Sequence, residues 1–165
     1  MAAPDEVDAV YRRLFPKLVG MVSLYCGDRW VAEEIAQETL SRLWERSPAQ
    51  VIDSPDAWTY RVAMNLANSW FRRRAIERRA KDAFRAAPSD DDRRDPDDFL
   101  AVSAALQHLP PRQRQALVLR YFADLSIEDT ARSMGCAPGT VKAHTHEALK
   151  ELAKAGLIDR EYADD

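Results

Sequence analysis

Apolar residues recur along this chain at helical spacing, and no stretch alternates apolar and polar positions for long enough to suggest a strand. Val10, Leu14, Leu18 and Met21 or Val22 line one face of a helix predicted over about residues 5–25. Gly27 is placed to end that helix in the left-handed conformation, and Asp28 to cap the next one. The second helix spans about residues 29–45, with Val31, Ile35, Leu40, Leu43 and Trp44 as its apolar stripe. Residues 47–53 read as a loop. Ser54, Pro55 and Asp56 then supply a cap, a proline at the first helical position and an acid in the first turn. A third, long helix starts there and runs to about residue 83. Four more helices are predicted over about residues 99–109, 111–122, 126–134 and 138–152, joined by short turns.

The pattern breaks once. Residues 86–98 read AAPSDDDRRDPDD, with two prolines, six aspartates and no large apolar side chain. Such a segment cannot bury enough surface to offset its conformational entropy. The predicted fold is therefore all-α: two small helical domains joined by an acidic flexible linker, the second containing a helix-turn-helix. The boundaries fall at residues 1–85, 86–98 and 99–157, with a short tail over 158–165.

Composition supports two modest cores, since 46% of the 165 residues are hydrophobic. Cys26 and Cys136 form no CxxC or zinc-like arrangement, which argues against a disulfide scaffold and fits a reducing compartment. The acidic start lacks the basic and apolar parts of a secretory signal, and no apolar run approaches the roughly 18 residues of a membrane span. These features predict a soluble cytoplasmic protein with no membrane insertion.

The net charge of -3 averages over segments of opposite sign. From residue 59 to 81 six Arg and one Lys stand against one Glu, a local balance of +6. From residue 89 to 98 six Asp stand against two Arg, a local balance of -4. A basic helix beside an acidic spacer is the pattern of a polyanion-binding surface next to a solvated linker.

At about 100° per residue, Arg61, Asn65, Asn68, Arg72 and Arg79 fall within an arc of about 60° on the third helix. Val62, Ala63, Leu66, Ala67 and Trp70 occupy the broad opposite side, with Tyr60, Met64 and Phe71 at its edge. Aromatic faces there can stack on unpaired bases while arginines hold phosphates, although Trp58, Trp70 and Phe71 also suit a simple core role. On the second helix Glu33, Glu34, Gln37, Glu38 and Arg42 lie outside the apolar stripe, a face that suits a protein partner rather than DNA.

In the second domain, Ser126 to Asp129 has the form of a capping box with Asp in place of Glu, and Gly135 to Pro138 is a tight turn. Val141, Ala148, Leu149 and Leu152 face inward on the last helix, which completes a helix-turn-helix. Pro138, Thr140, Lys142, Ala143, His144 and His146 are then the candidates for phosphate or base contacts, against the plainer reading of a packed helical hairpin. His144 and His146 point about 200° apart, so they do not share a metal. No nucleophile-base-acid arrangement, phosphate-cradling glycine loop or His-Glu-x-x-His appears, so no catalytic residue, cofactor or metal is predicted.

The order AEEIAQETLSRLW, then SPDAWTYRVAMNLANSWFRRR, then LPPRQRQALVLRYFADLSIEDTARSMGCAPGTVK resembles the extracytoplasmic-function (group IV) sigma factors of bacterial RNA polymerase, particularly those of actinobacterial type. The resemblance covers nearly the whole chain. It implies that Glu33, Glu34, Gln37, Glu38 and Arg42 dock on the β′ clamp helices of core polymerase. It implies that Trp58, Tyr60, Arg61, Asn65, Asn68, Trp70, Arg72, Arg73 and Arg74 recognise and melt the -10 promoter element, and that the loop at residues 47–54 captures a flipped base. The helix-turn-helix would read the -35 element and pack on the β flap, with the acidic linker threading toward the RNA exit path. An anti-sigma factor is a further implied partner. Where many relatives carry Ser-Arg-Leu or Ser-Gln-Thr and an Arg a few residues on, this chain has Ala143, His144, Thr145 and Glu147. Either Glu147 accepts a hydrogen bond from a cytosine amine, or -35 binding is weak. The competing reading is a stand-alone helix-turn-helix regulator, whose discriminator is the pair of acidic and basic helices in the N-terminal half.

Overall fold

The computed structural model describes residues 4–46, 54–82 and 97–163. Among these residues all regular structure is helical: α1 (Pro4–Cys26), α2 (Arg29–Glu45), α3 (Pro55–Asp82), α4 (Asp97–His108), α5 (Pro111–Leu117), α6 (Ile127–Met134) and α7 (Pro138–Lys154). A π-helical segment, Val118–Phe122, continues α5, and a 3-10 turn, Arg160–Ala163, follows α7. The loop predicted at 47–53 lies outside the described residues, as does residue range 83–96 of the acidic segment. Residues 97 and 98, read as linker, instead begin α4.

The first three helices form one packed unit. Leu14, Leu18, Met21 and Val22 of α1 are fully buried against α2 and α3. Ala32 and Ala36 of α2, with Ala63 and Ala67 of α3, are also fully buried, and their short side chains let the helix backbones approach closely. Buried hydroxyls are satisfied locally: Thr39 donates to the Ile35 carbonyl at 2.7 Å, and Thr59 to the Asp56 carbonyl at 2.8 Å. The helix junction is as expected, with Gly27 at φ 74° and the Asp28 carboxylate accepting from the Val31 amide at 3.1 Å. Asp56, in the first turn of α3, pairs with Arg13 of α1 at 2.5 Å and fixes the start of the long helix.

Three side chains differ from the helical-wheel reading. Tyr60 and Met64, placed at the edge of the α3 face, are buried at 4% and 0% exposure, because α1 and α2 cover α3 from two sides and widen its buried arc. Trp44, assigned to the α2 stripe, lies near the helix end and is 38% exposed.

In the second half, α4 to α7 enclose Leu106, Leu109, Leu117, Leu119, Val141, Ala148 and Leu152. The helix predicted over 111–122 changes pitch at Val118, where the Ala123 amide bonds the carbonyl five residues back at 3.1 Å. Arg120 donates to the Leu125 carbonyl across the end of this wide turn.

The two halves pack on each other. Gln107 of α4 donates to the Leu24 and Tyr25 carbonyls at 3.1 and 3.4 Å, which satisfies the free end of α1. Its approach needs the bare backbone of Gly27, where a Cβ would lie 2.8 Å from the Gln107 amide carbon. Gly20 makes a second close approach: a Cβ there would stand 2.5 Å from the Phe122 ring. Gly20→Leu should therefore weaken the docking of the two halves and leave each half folded. Small-angle scattering would show this as a radius of gyration roughly a few ångströms above the ~15 Å of a compact chain of this length, with an unchanged circular dichroism spectrum. An unchanged radius would mean that Phe122 simply rotates away.

Candidate nucleic-acid interface

α3 is 28 residues long, about 42 Å at 1.5 Å per residue, and only its first half is enclosed by α1 and α2. Arg61, Asn65, Arg72 and Arg79 are exposed along it, and Asn68 is half-buried. The Tyr25 hydroxyl donates to Asn68 Oδ1 at 2.6 Å. Burial pushes that hydroxyl up to about 12, so it remains a donor at physiological pH and leaves the Asn68 amide nitrogen to donate outward. Ser69 accepts from Arg72 at 2.8 Å while donating to the Asn65 carbonyl at 2.9 Å, which orients the first arginine of the run.

Trp70 is neither fully core nor free. It packs edge-on against Phe71 at 4.9 Å and 67°, and the Arg74 guanidinium lies 4.9 Å over its ring. Phe71 in turn meets Tyr25 edge-on at 5.3 Å. Trp58 is half-buried with Arg46 at 4.8 Å over its ring. Arg73 is exposed. Of the nine residues expected at the -10 element, Tyr60 alone is enclosed in the core, where it cannot stack on a base.

The α2 face is also assembled as the spacing implied. Glu34, Gln37, Glu38 and Arg42 are exposed and Glu33 is half-buried. Part of this charge is paired along the helix, Arg42 with Glu38 at 2.7 Å and Arg29 with Glu33 at 3.2 Å.

The helix-turn-helix is built from α6, a left-handed Gly135 at φ 63° and ψ 42°, and α7. Ser126 caps α6 by accepting the Asp129 amide at 2.9 Å. The shorter Asp129 carboxylate accepts from the Ser126 hydroxyl instead of reaching the backbone as Glu would. Arg132 and then Ser126 hold that carboxyl below the usual carboxylate range. Pro138, Thr140, Lys142, Ala143, His146 and Glu147 are all exposed on α7, whereas His144 is half-buried. The inward set packs as expected, with Val141, Ala148 and Leu152 buried and Leu149 partly so. The Glu147 carboxylate lies 3.8 Å from Lys150 on its own helix, a weak exposed pair.

Two positioning residues lie within the quoted LPPRQR motif, which gave them no role. Arg112 donates to the Met134 carbonyl at 2.9 Å and so fixes the end of α6 at the turn. Arg114, only 5% exposed, donates to Gln107 and lies 5.5 Å from the Tyr25 ring and 5.6 Å from the Phe71 ring. Nothing in the spacing of RQR distinguishes a solvated arginine from one buried between two halves of the molecule.

A helical unit with an arginine-asparagine face is thus joined in one chain to a helix-turn-helix, the architecture of a transcription protein. Residues 10–77 match the sigma-70 region 2 family and residues 99–152 the sigma-70 region 4 family. The chain is 32% identical over 124 residues to the RNA polymerase sigma-E factor of Streptomyces coelicolor, covering 73% of this chain and 69% of that one. It is 31% identical over 147 residues to the ECF RNA polymerase sigma factor EcfG of Rhodopseudomonas palustris, covering 87% and 81% of the two. Its fold is similar to the sigma factor RpoE of Bartonella quintana, solved in complex with the anti-sigma factor NepR, at a TM-score of 0.72 and 24% identity over 93% of this chain and 98% of that one. The chain belongs to the extracytoplasmic-function sigma factors of bacterial RNA polymerase, of actinobacterial type. Sigma factors act in transcription initiation and are not themselves enzymes. Among the described residues no helix is long and apolar enough to cross a membrane.

Proposed function

We propose a division of labour among the three faces. The α2 face, Glu33, Glu34, Gln37, Glu38 and Arg42, docks on the β′ clamp helices of core polymerase. On α3, Arg61, Asn65, Asn68, Trp70 and Arg72 to Arg74 hold the -10 element, with Trp58 at their N-terminal end and Tyr60 supporting them from the core. The exposed residues of α7 enter the major groove at the -35 element, and the second half packs on the β flap. In this reading region 2 occupies residues 1–85 and region 4 residues 99–157, tethered by the acidic segment. The protein acts in the cytoplasm, makes and breaks no covalent bond, and is held inactive by an anti-sigma factor that covers the acidic and basic faces.

The observation that carries this reading is the presence of two separate exposed faces in one chain, the arginine-asparagine face of α3 and the start of α7, beside an acidic face whose glutamates and glutamine project from α2. Arginine on α3 suits phosphates of a melted strand, while the start of α7 has the position from which recognition helices reach base edges. Added to core polymerase, the full chain should support run-off transcription that requires both promoter elements. By itself it should not retain duplex DNA specifically. Tight specific duplex binding without polymerase, with no initiation in its presence, would replace this reading by that of a stand-alone regulator.

A further inference from the structure

Between the two halves lies a cleft of about 890 Å³, walled by α1 and α3 on one side and by α4 and α5 on the other. Its size is that of a ligand site. Five arginines line it: Arg72, Arg74 and Arg78 from α3, and Arg112 and Arg114 from α5. Among the described residues the single carboxylate on the wall is Asp28, which is already engaged as the cap of α2.

Elsewhere on the molecule arginines pair with the chain's own acids, Arg12 with Asp8, Arg13 with Asp56, Arg42 with Glu38 and Arg132 with Asp129. None of the five in the cleft has an ion-pair partner among the described residues. Arg114 is 5% exposed and its Nε has no hydrogen-bond partner among the described residues; neighbouring Gln115, 1% exposed, likewise has an unpartnered amide nitrogen there. Burial lowers the Arg114 pKa, and no carboxylate among the described residues offsets that cost. Cations from two separate elements thus line one open cleft, an arrangement that a multivalent anion would relieve from both sides at once. Planar guanidinium groups match phosphate oxygens in pairs. Trp70, beneath Arg74, adds an aromatic surface to the same wall.

We propose that this cleft binds a linear oligophosphate, free or carried by a nucleoside, which bridges the two halves and stabilises their docked arrangement. The bound anion would cover Arg72 and Arg74 and so compete with promoter DNA for the α3 face.

Calorimetric titration of the full chain with inorganic tripolyphosphate and with a nucleoside triphosphate, at physiological ionic strength, tests this. Saturable binding of one ligand per chain is expected. Arg78→Glu, at an exposed position on the cleft wall, should weaken it about tenfold or more. Arg12→Glu, which changes the net charge equally outside the cleft, should leave it unchanged. Equal affinity for the two ligands assigns the free oligophosphate. Tighter binding of the nucleoside triphosphate, with tryptophan quenching that Trp70→Phe removes, assigns the nucleotide. No saturable binding of either, or equal weakening by Arg12→Glu and Arg78→Glu, overturns the proposal. The titration contains neither DNA nor polymerase, so a negative result leaves the run-off test of promoter function intact.

Discussion

Replacing Arg72, Arg73 and Arg74 together by alanine is expected to reduce promoter opening by on the order of 100-fold while the protein remains folded. Arg72 and Arg73 are exposed and Arg74 half-buried, and none forms an ion pair among the described residues. Their removal therefore costs little stability: Arg72 loses one exposed bond to Ser69, and Arg74 its place over Trp70. Binding is different, because each cation that meets a phosphate of single-stranded DNA displaces counterions. Three lost contacts at about 1 kcal/mol each give the 100-fold figure, and the slope of log affinity against log salt should fall by about 2. Run-off transcription and permanganate footprinting over a salt series measure both. Wild-type opening with an unchanged salt slope would remove the arginine run from the promoter interface.

Leu18→Ala should have the largest effect on stability, about 2–5 kcal/mol. Leu18 is fully buried in the seam between α1 and its partners, next in the helical series after Leu14 and before Met21 and Val22, which are equally enclosed. The wholly buried alanines on α2 and α3 have no side-chain length with which to fill the space left behind. Domains of this size are stable by about 5–15 kcal/mol, so the loss is a large share of the total. In urea denaturation the midpoint should fall with little change in slope. A loss below about 1 kcal/mol would show that the surrounding helices collapse onto the site.

The fold was highly legible because its main determinants are local. Gly27, Asp28, Ser54, Pro55, Ser126 and Gly135 act through backbone conformation and hydrogen bonds to near neighbours, and the helices start or stop where these residues stand. The inward faces of α1 and α7 follow helical periodicity for the same reason. Periodicity failed at Tyr60, Met64 and Trp44, where burial depends on how many neighbours a helix has and where it ends. It also missed the change to π-helical pitch at Val118, which is completed by Arg120 reaching the Leu125 carbonyl.

The candidate interface divides along the same line. Charge and spacing placed Arg61, Asn65, Asn68 and Arg72 on one face of α3, because side chains on a single helix have a fixed angular relation. The same rule separated His144 from His146, now seen as half-buried and exposed. Sequence could not decide the state of Trp70, which rests on Phe71 from its own helix but also on the placement of Arg74 above its ring. Nor could it connect Arg112 and Arg114 with Arg78, more than thirty positions earlier in the chain.

Helix content, the caps and the polar faces of α3 and α7 were thus determined by residues acting within a turn or two of one another, and membership of the sigma family by the order of motifs along the chain. Only the tertiary structure decided how the halves meet. Gln107 on the end of α1, Phe122 against Gly20 and five arginines around one cleft depend on contacts between distant segments, and local spacing carries no record of these.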